Sequence, residues 1–423
     1  MEIIATSSCP QDIQPVLGTW YSMYNNKSRS NQLQVAFALS GSLYICNNPA
    51  NPPSTSPYYN YIGPTPVSSS QILKISQTTY SASTVFGENI AVSGSGNFIH
   101  QSQGIIDLTD GKLWYGSREP REQVVMSVNG VIDTTWGPAI SSSLTFVGVG
   151  NKMNVGRSDN YVYSATVLTS VAPNPNKLYR YKISDKTYDS TFTNANSFQS
   201  CTKILGISGS SGIESVALAA GDDMTHAQIL YETGSSYNIV DLNANNIVSD
   251  VVQHNNYLYW AGSFTSFNEV SASGWVKTDL NGNVVTGSVD YITGSVGSKF
   301  QGIHQLGVQS NGKIILGSRY DFYGYSGSVP GYNFETGSGA LIRLNTDGTF
   351  DDTFNYPNIV YSYSGSTFSP FDEVYINTLE ILDNDEIFAA GVIVGVYDSA
   401  SYNETINGQG GILLNSNGGI IYN

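Results

Sequence analysis

Three short runs carry residue types with chemical reach. "RLNTDGTFDDTF" (Arg343 to Phe354) sets Asn345, Asp347 and Asp351 close together, oxygen donors of the kind a calcium loop uses. The remaining ligands and the closing Glu of a helix–loop–helix site are missing, and Asp beside Gly is what a tight turn requires. The run reads as turn chemistry, and no metal is expected. "GVQSNGKI" (Gly307 to Ile314) nearly spells a phosphate-binding loop. Ile314 stands where Ser or Thr is needed, however, and the flanking pattern predicts a strand where the phosphate loop needs a helix. "AGDDMTH" gathers Asp222, Asp223 and His226, and solvated carboxylates at a hairpin turn are the preferred reading.

Other catalytic signatures are missing. His100, His226, His254 and His304 never pair at i, i+4 around a Glu, and no Gly-x-Ser-x-Gly elbow occurs. A glycosidase needs two carboxylates facing each other across roughly 5–9.5 Å. With 33 Asp and Glu, some pair meets that distance by accident, so the sequence identifies none. The expectation is a protein without enzymatic activity or cofactor, with a glycan hydrolase as the second alternative.

The elements that would position these residues are two kinds of hairpin. In "ALIRLNTDGTFDDTFN" a turn at Asp347 is followed by Asp351 four residues on and Phe354 seven on. "SVNGVIDTTW" repeats the pattern with Asn129, Asp133 and Trp136, and "KISDKTYDSTF" with Asp185, Asp189 and Phe192. Weaker copies sit at Gln77, Asn245, Asn281 and Asn417. A second series alternates apolar and polar residues about a tight turn, as in "LGVQSNGKIILGS" at Asn311-Gly312. Its other members lie at Gly41, Gly111, Asp159, Asn256 and Asp385, with a weak one near Asp222. Sorted by position the two series alternate.

This order predicts an all-β fold, a β-propeller of seven four-stranded antiparallel blades spanning 33–423. The chain opens on a second-type hairpin (Val35 to Cys46) and closes on a first-type one (Gly411 to Asn423). Their pairing in one shared blade would leave no open sheet edge. The Asp four residues after each turn would accept backbone N–H groups, and the aromatic seven after would stack between blades.

Composition narrows the function classes. At 423 residues the chain exceeds the roughly 250–300 that one core supports, so either several domains or many small layers in series are expected. A net charge of −15 excludes phosphate-backbone binding, which needs Lys and Arg to release counterions. No run of 18 apolar residues predicts a membrane helix. "MEIIATSSCPQDIQPV" lacks the basic and apolar regions of a secretory leader. Cys9, Cys46 and Cys201 at unrelated spacings predict no disulfide framework and assembly in a reducing cytosol.

"GSFTSFNEVSASGWVKTDLNGNVVTG" (Gly262 to Gly287) and "ALIRLNTDGTFDDTFN" resemble delta-60 repeats, a bacterial and phage repeat type associated with β-propellers. Residues 237–423 match the pattern well and residues 33–236 only in outline; Glu269 stands where the family commonly has Gly. The resemblance implies a propeller, and its setting is the virion of a tailed phage: a tail, fibre or other external part, assembled in the host cytoplasm and exposed after lysis. The expected partners are other virion proteins and a host-surface glycan or protein, with no nucleic acid and no membrane insertion. A secreted or surface-attached bacterial binding protein is the alternative.

Two Tyr-rich insertions supply the candidate contact surface, since Tyr with Gly and Ser gives adaptable contact area at low entropic cost. One carries Tyr58, Tyr59 and Tyr61, and the other Tyr320, Phe322, Tyr323, Tyr325, Tyr332 and Phe334. Residues 1–32 form an expected arm or extra strand, with Trp20, Tyr21 and Tyr24 as candidate docking residues.

Overall fold

A computed structural model describes residues 31–39, 41–49, 72–79, 83, 100–108, 111–119, 123–137, 153–166, 177–192, 201–209, 212–220, 227–233, 236–272, 274–285, 303–318, 341–355, 358–360, 375–392, 395–397, 405–406, 411–419 and 421. Apart from a 3-10 turn at Thr134–Trp136, the regular structure of these residues is β. Seven sheets follow in chain order. The first joins β1 (Asn31–Leu39), β2 (Ser42–Pro49) and β3 (Ile72–Ser76), and the second β4 (His100–Leu108), β5 (Lys112–Glu119) and β6 (Gln123–Ser127). The third holds β7 (Met153–Arg157), β8 (Tyr161–Thr166), β9 (Lys177–Lys182) and β10 (Thr187–Tyr188). The fourth holds β11 (Cys201–Gly209), β12 (Gly212–Ala220), β13 (Ala227–Thr233) and β14 (Ser236–Asp241).

In the fifth sheet, β15 (Val248–His254) and β16 (Tyr257–Gly262) pair, and β19 (Trp275–Asp279) adds to β16. A small ribbon of β17 (Ser266–Phe267) and β18 (Val270–Ser271) intervenes. The sixth is β20 (Ile303–Val308), β21 (Ile314–Ser318) and β22 (Leu341–Leu344). The seventh is β24 (Tyr375–Ile381), β25 (Ile387–Val392) and β28 (Gly411–Leu414). A side ribbon is built from β23 (Asn358–Val360), β26 (Gly395–Tyr397) and β27 (Thr405–Ile406).

Strands such as "YLYWAG" and "IILGS" are apolar on consecutive positions because each sheet is covered on both faces by its neighbours. The core is accordingly a series of layers between successive sheets. Trp114, Trp136, Val155, Val162 and Tyr181 fill the layer between the second and third. Tyr163, Leu178, Phe192, Val216 and Leu230 fill the next. The aromatic seven residues past each strong turn lies in these layers: Trp136 meets Trp114 edge-on at 5.1 Å, and Phe192 meets Tyr237 of the fourth sheet at 4.8 Å. The first strands of successive sheets lie beside one another in the order β1, β4, β7, β11, β15, β20, β24, and β24 lies against β1.

Three expectations need correction. The first and last hairpins do not share a sheet: β3 takes the free edge of β2, while Gly411–Leu414 pairs with β25. A nearby third strand satisfied each hairpin edge before a distant one was needed. Four strands are not general either. In the second, fifth and sixth sheets the fourth strand shrinks to a single bridge (Met126 with Ile132, Thr278 with Val284, Leu344 with Phe350). In the second sheet Asp133 captures the Thr135 N–H and starts a 3-10 turn, a local bond that competes with the ladder. Finally, the fourth sheet has tight hairpins at Gly209 opposite Gly212 and Thr233 opposite Ser236 that the pattern did not mark; the expected one near Asp222 falls between the paired strands β12 and β13, but none closes at Asn245. Asn245 lies in the connection from β14 to β15, where its side-chain Oδ1 accepts the Thr265 and Ser266 N–H groups.

Candidate functional site

Neighbouring first strands run in the same direction. Lys203 of β11 faces Asp250 of β15 and Ser208 faces Gln253; across the β24–β1 contact Ala38 meets Glu380 and Gly41 meets Asp383. The tight turns therefore gather at one end of the sheets, and the connections from second to third strand leave from the other. Six of the first strands carry a bulge near their start, between Leu33 and Val35, Ser102 and Gly104, Cys201 and Lys203, Val248 and Asp250, Ile303 and Gln305, and Ile376 and Thr378. A bulge kinks the strand and re-aims side chains. Charged residues at or just past three of these bulges form one group: Lys203, Asp250 and Glu380.

The Lys203 ammonium lies 3.3 Å from Asp250, whose side chain is only 2% exposed. Asp250 also accepts the Val251 and Leu306 N–H groups, each at 2.9 Å, so it caps an edge amide of the next sheet. The Asp250 charge holds the Lys203 pKa above its ordinary value against the opposing effect of burial, with Glu380 adding to it. Burial pushes Glu380 up to about 7, while Lys203 and the Ala38 N–H pull the other way. A carboxyl group in that range exchanges protons near neutrality. The group is dispersed over three sheets and its Asp is already consumed by backbone, so it presents no opposed acid–base pair. Among the described residues no group of three or more His, Cys, Asp or Glu is placed to hold a metal ion.

The carboxylates singled out by the turn pattern serve the frame. Asp351 accepts the Thr353 N–H and hydroxyl, Lys313 at 2.7 Å and Arg343 Nε at 2.6 Å. Burial alone would raise its pKa, but Lys313, Thr353 and Arg343 outweigh that and bring it to about 2. Asp189 accepts the equivalent Thr191 groups and two nitrogens of Arg180. Asp133 accepts from Thr135, Lys112 and Lys186. The buried Arg partners were missed in the sequence, although Arg343 and Arg180 each precede their Asp by eight or nine residues across the turn. Asp347 accepts the Thr349 N–H and hydroxyl, which is turn chemistry. The run Gly307 to Ile314 forms the β20–β21 hairpin, with Gly312 at φ 82°.

A half-buried acid lies between the third and fourth sheets. Glu232 accepts the Ser158 hydroxyl at 2.8 Å and a very short bond from the Tyr163 hydroxyl. Burial raises the Glu232 pKa, and burial together with the Glu232 charge raises that of Tyr163. This pair ties two sheets together.

The candidate contact residues Tyr58, Tyr59, Tyr61, Tyr320, Phe322, Tyr323, Tyr325, Tyr332 and Phe334 lie outside the described residues, as do Trp20, Tyr21, Tyr24, Asp222, Asp223 and His226. The strands that hold the two insertions are described: one joins β2 to β3 and the other β21 to β22, both second-to-third connections.

No family model and no curated protein matches the chain. Among solved structures it is similar to virginiamycin B lyase from Staphylococcus aureus, at 10% identity and a TM-score of 0.43, over 86% of this chain and 93% of that one. The β-propeller domain of Cps50 (Swd1) from Myceliophteria thermophila gives 10% identity and 0.37, over 73% and 87%. The designed protein Ika8 gives 10% and 0.45, over 91% and 90%. The architecture is carried by the chain's own antiparallel sheets, and these likenesses assign no activity.

Proposed function

We propose that the chain is a non-enzymatic binding component of a larger assembly, built as a closed seven-bladed β-propeller. Closure runs through the packing of β24 against β1. The observation that carries the reading is the placement of the insertions. Both Tyr-rich segments spring from second-to-third connections, at the end of the sheets away from the tight turns. A frame of packed sheets that carries Tyr-rich sequence at one end is the arrangement of a recognition surface. The resemblance to delta-60 repeats extends the proposal to the virion of a tailed phage. The partners would then be neighbouring virion proteins and a host-surface glycan or protein.

The test exchanges residues 51–64 and 319–339, singly and together, for short Gly-Ser linkers. The expected result is a folded chain, unchanged in thermal unfolding, that no longer incorporates into purified phage particles. Normal incorporation of the double exchange would remove the contact role. Release of reducing sugar from capsule or cell-wall glycans, abolished by a single carboxylate change, would replace the proposal with the hydrolase reading.

A further inference from the structure

Among the described residues no backbone ladder crosses the contact between the first and seventh sheets, as none crosses the contacts between the other neighbouring sheets. Three bonds between side chain and backbone mark it instead: Ala38 N–H to Glu380 at 3.4 Å, Gly41 N–H to Asp383 at 3.0 Å, and Asp383 N–H to Gln77 at 3.1 Å. Glu380 is out of pattern there. Two residues past the bulge, the other bulged first strands carry Phe37, Ile106, Leu205, Val252 and Gly307. Five strands thus have an apolar residue or Gly at this position, and one has Glu.

We propose that the β1–β24 contact is a pH-responsive joint, tightened when Glu380 is protonated and loosened when it ionises. A neutral carboxyl group fits a position built for apolar side chains and still accepts the Ala38 N–H. A carboxylate at the same place favours any opening that brings it water. The groups that could neutralise it are few. β1, β21, β25 and β28 contain no Asp, Glu, His, Lys or Arg, and β20 contributes His304. Lys203 and Asp250 act on it with opposite sign, and Lys203 is already paired with Asp250. The net result is the upward shift to about 7. A folded-state pKa above the unfolded value means stability that is full below the unfolded pKa of 4.5 and is lost as pH rises through about 7. The joint is therefore closed more firmly in mild acid than at alkaline pH. The inference depends on contacts between two described sheets and is independent of the proposed binding role.

Hydrogen exchange of the full chain, corrected for the intrinsic pH dependence of exchange, tests it. Protection of peptides covering Asn31–Leu39 and Tyr375–Ile381 is compared with that of Lys112–Glu119 in the second sheet, which holds none of Lys203, Asp250 and Glu380, at about pH 5.5 and about pH 8. For the wild type, protection at the joint should fall about tenfold relative to the control peptide over that range. Glu380→Gln should show no such fall, and Glu380→Leu, which restores the pattern of the other strands, should behave likewise. Equal wild-type protection at both pH values overturns the proposal, and so does a fall that persists in either variant. Should neither variant fold, the wild-type comparison alone still decides, because a joint that holds equally at both pH values sinks the idea.

Discussion

The sixth and seventh sheets solve one problem in two ways. In both, the chain turns after the third strand and sends one N–H back to it: Asp351 to the Arg343 carbonyl, Ile421 to the Leu413 carbonyl. The side chains at those positions are a buried ion pair in the sixth sheet and two aliphatic groups in the seventh. Arg343 also reaches the Ser416 carbonyl of the seventh sheet at 2.5 Å and stacks over Phe354 at 4.6 Å, so its guanidinium joins two sheets. The fifth sheet takes a third course, with Lys277 over the Tyr257 ring at 3.9 Å and Val285 in the Asp position. The backbone fixes the turn; the side chains need only agree with one another. A buried ion pair gives little over a well-packed apolar pair, but half of one is costly.

Breaking that agreement has the largest expected effect. Asp351→Ala leaves Arg343 and Lys313 facing an apolar gap and should cost about 3–5 kcal/mol in urea unfolding. A loss below about 1 kcal/mol would mean that the pair is not buried in solution. Next is acid. The Asp351 pKa lies near 2, below its unfolded value of 3.8, so its contribution is present above the unfolded pKa and disappears as pH falls through the folded one. The stability difference between wild type and the double variant Arg343→Leu/Asp351→Ile should therefore shift by about 2 kcal/mol between pH 5 and pH 2. A difference that stays constant would assign the acid sensitivity to other carboxylates.

That double variant sharpens the comparison a second time. It imports the seventh sheet's solution into the sixth and, at neutral pH, should lie within about 1.5 kcal/mol of wild type, far above the single Asp351→Ala. The smallest effect concerns the fifth sheet's turn. Glu269 is exposed at φ 65°, a left-handed conformation that L side chains resist. Glu269→Gly should raise stability by roughly 0.5–1 kcal/mol in thermal unfolding, a net gain because relief of strain exceeds the added chain entropy.

Much of the frame was legible because its signals are local. Asp-Gly at 347–348, the Asp four residues later and the Phe seven later act within one turn, and the structure keeps them there. Glu269 was recognisable as a residue in a glycine's place only through the resemblance to delta-60 repeats, and its backbone is left-handed at φ 65°. The fourth sheet's tight turns at Gly209–Gly212 and Thr233–Ser236 were missed because their Ser- and Gly-rich sequences give a weaker turn signal than the Asp and Asn residues that follow. The Lys203, Asp250 and Glu380 group was invisible. Its members lie on three different sheets, in strands otherwise like their neighbours, and nothing near any of them announces the other two.

Alternating short-range patterns settled that the described residues would be β, where most of their tight turns fall, and which aromatics lie between layers. Those choices depend on φ, on side chains that bond their own backbone, and on period-two burial, all fixed within about ten residues. How the first sheet meets the last, which guanidinium answers which carboxylate, and which way the Glu380 pKa is pushed were decided only by packing. Each depends on the distance and dielectric between groups far apart along the chain, and those quantities exist only once the sheets have come together.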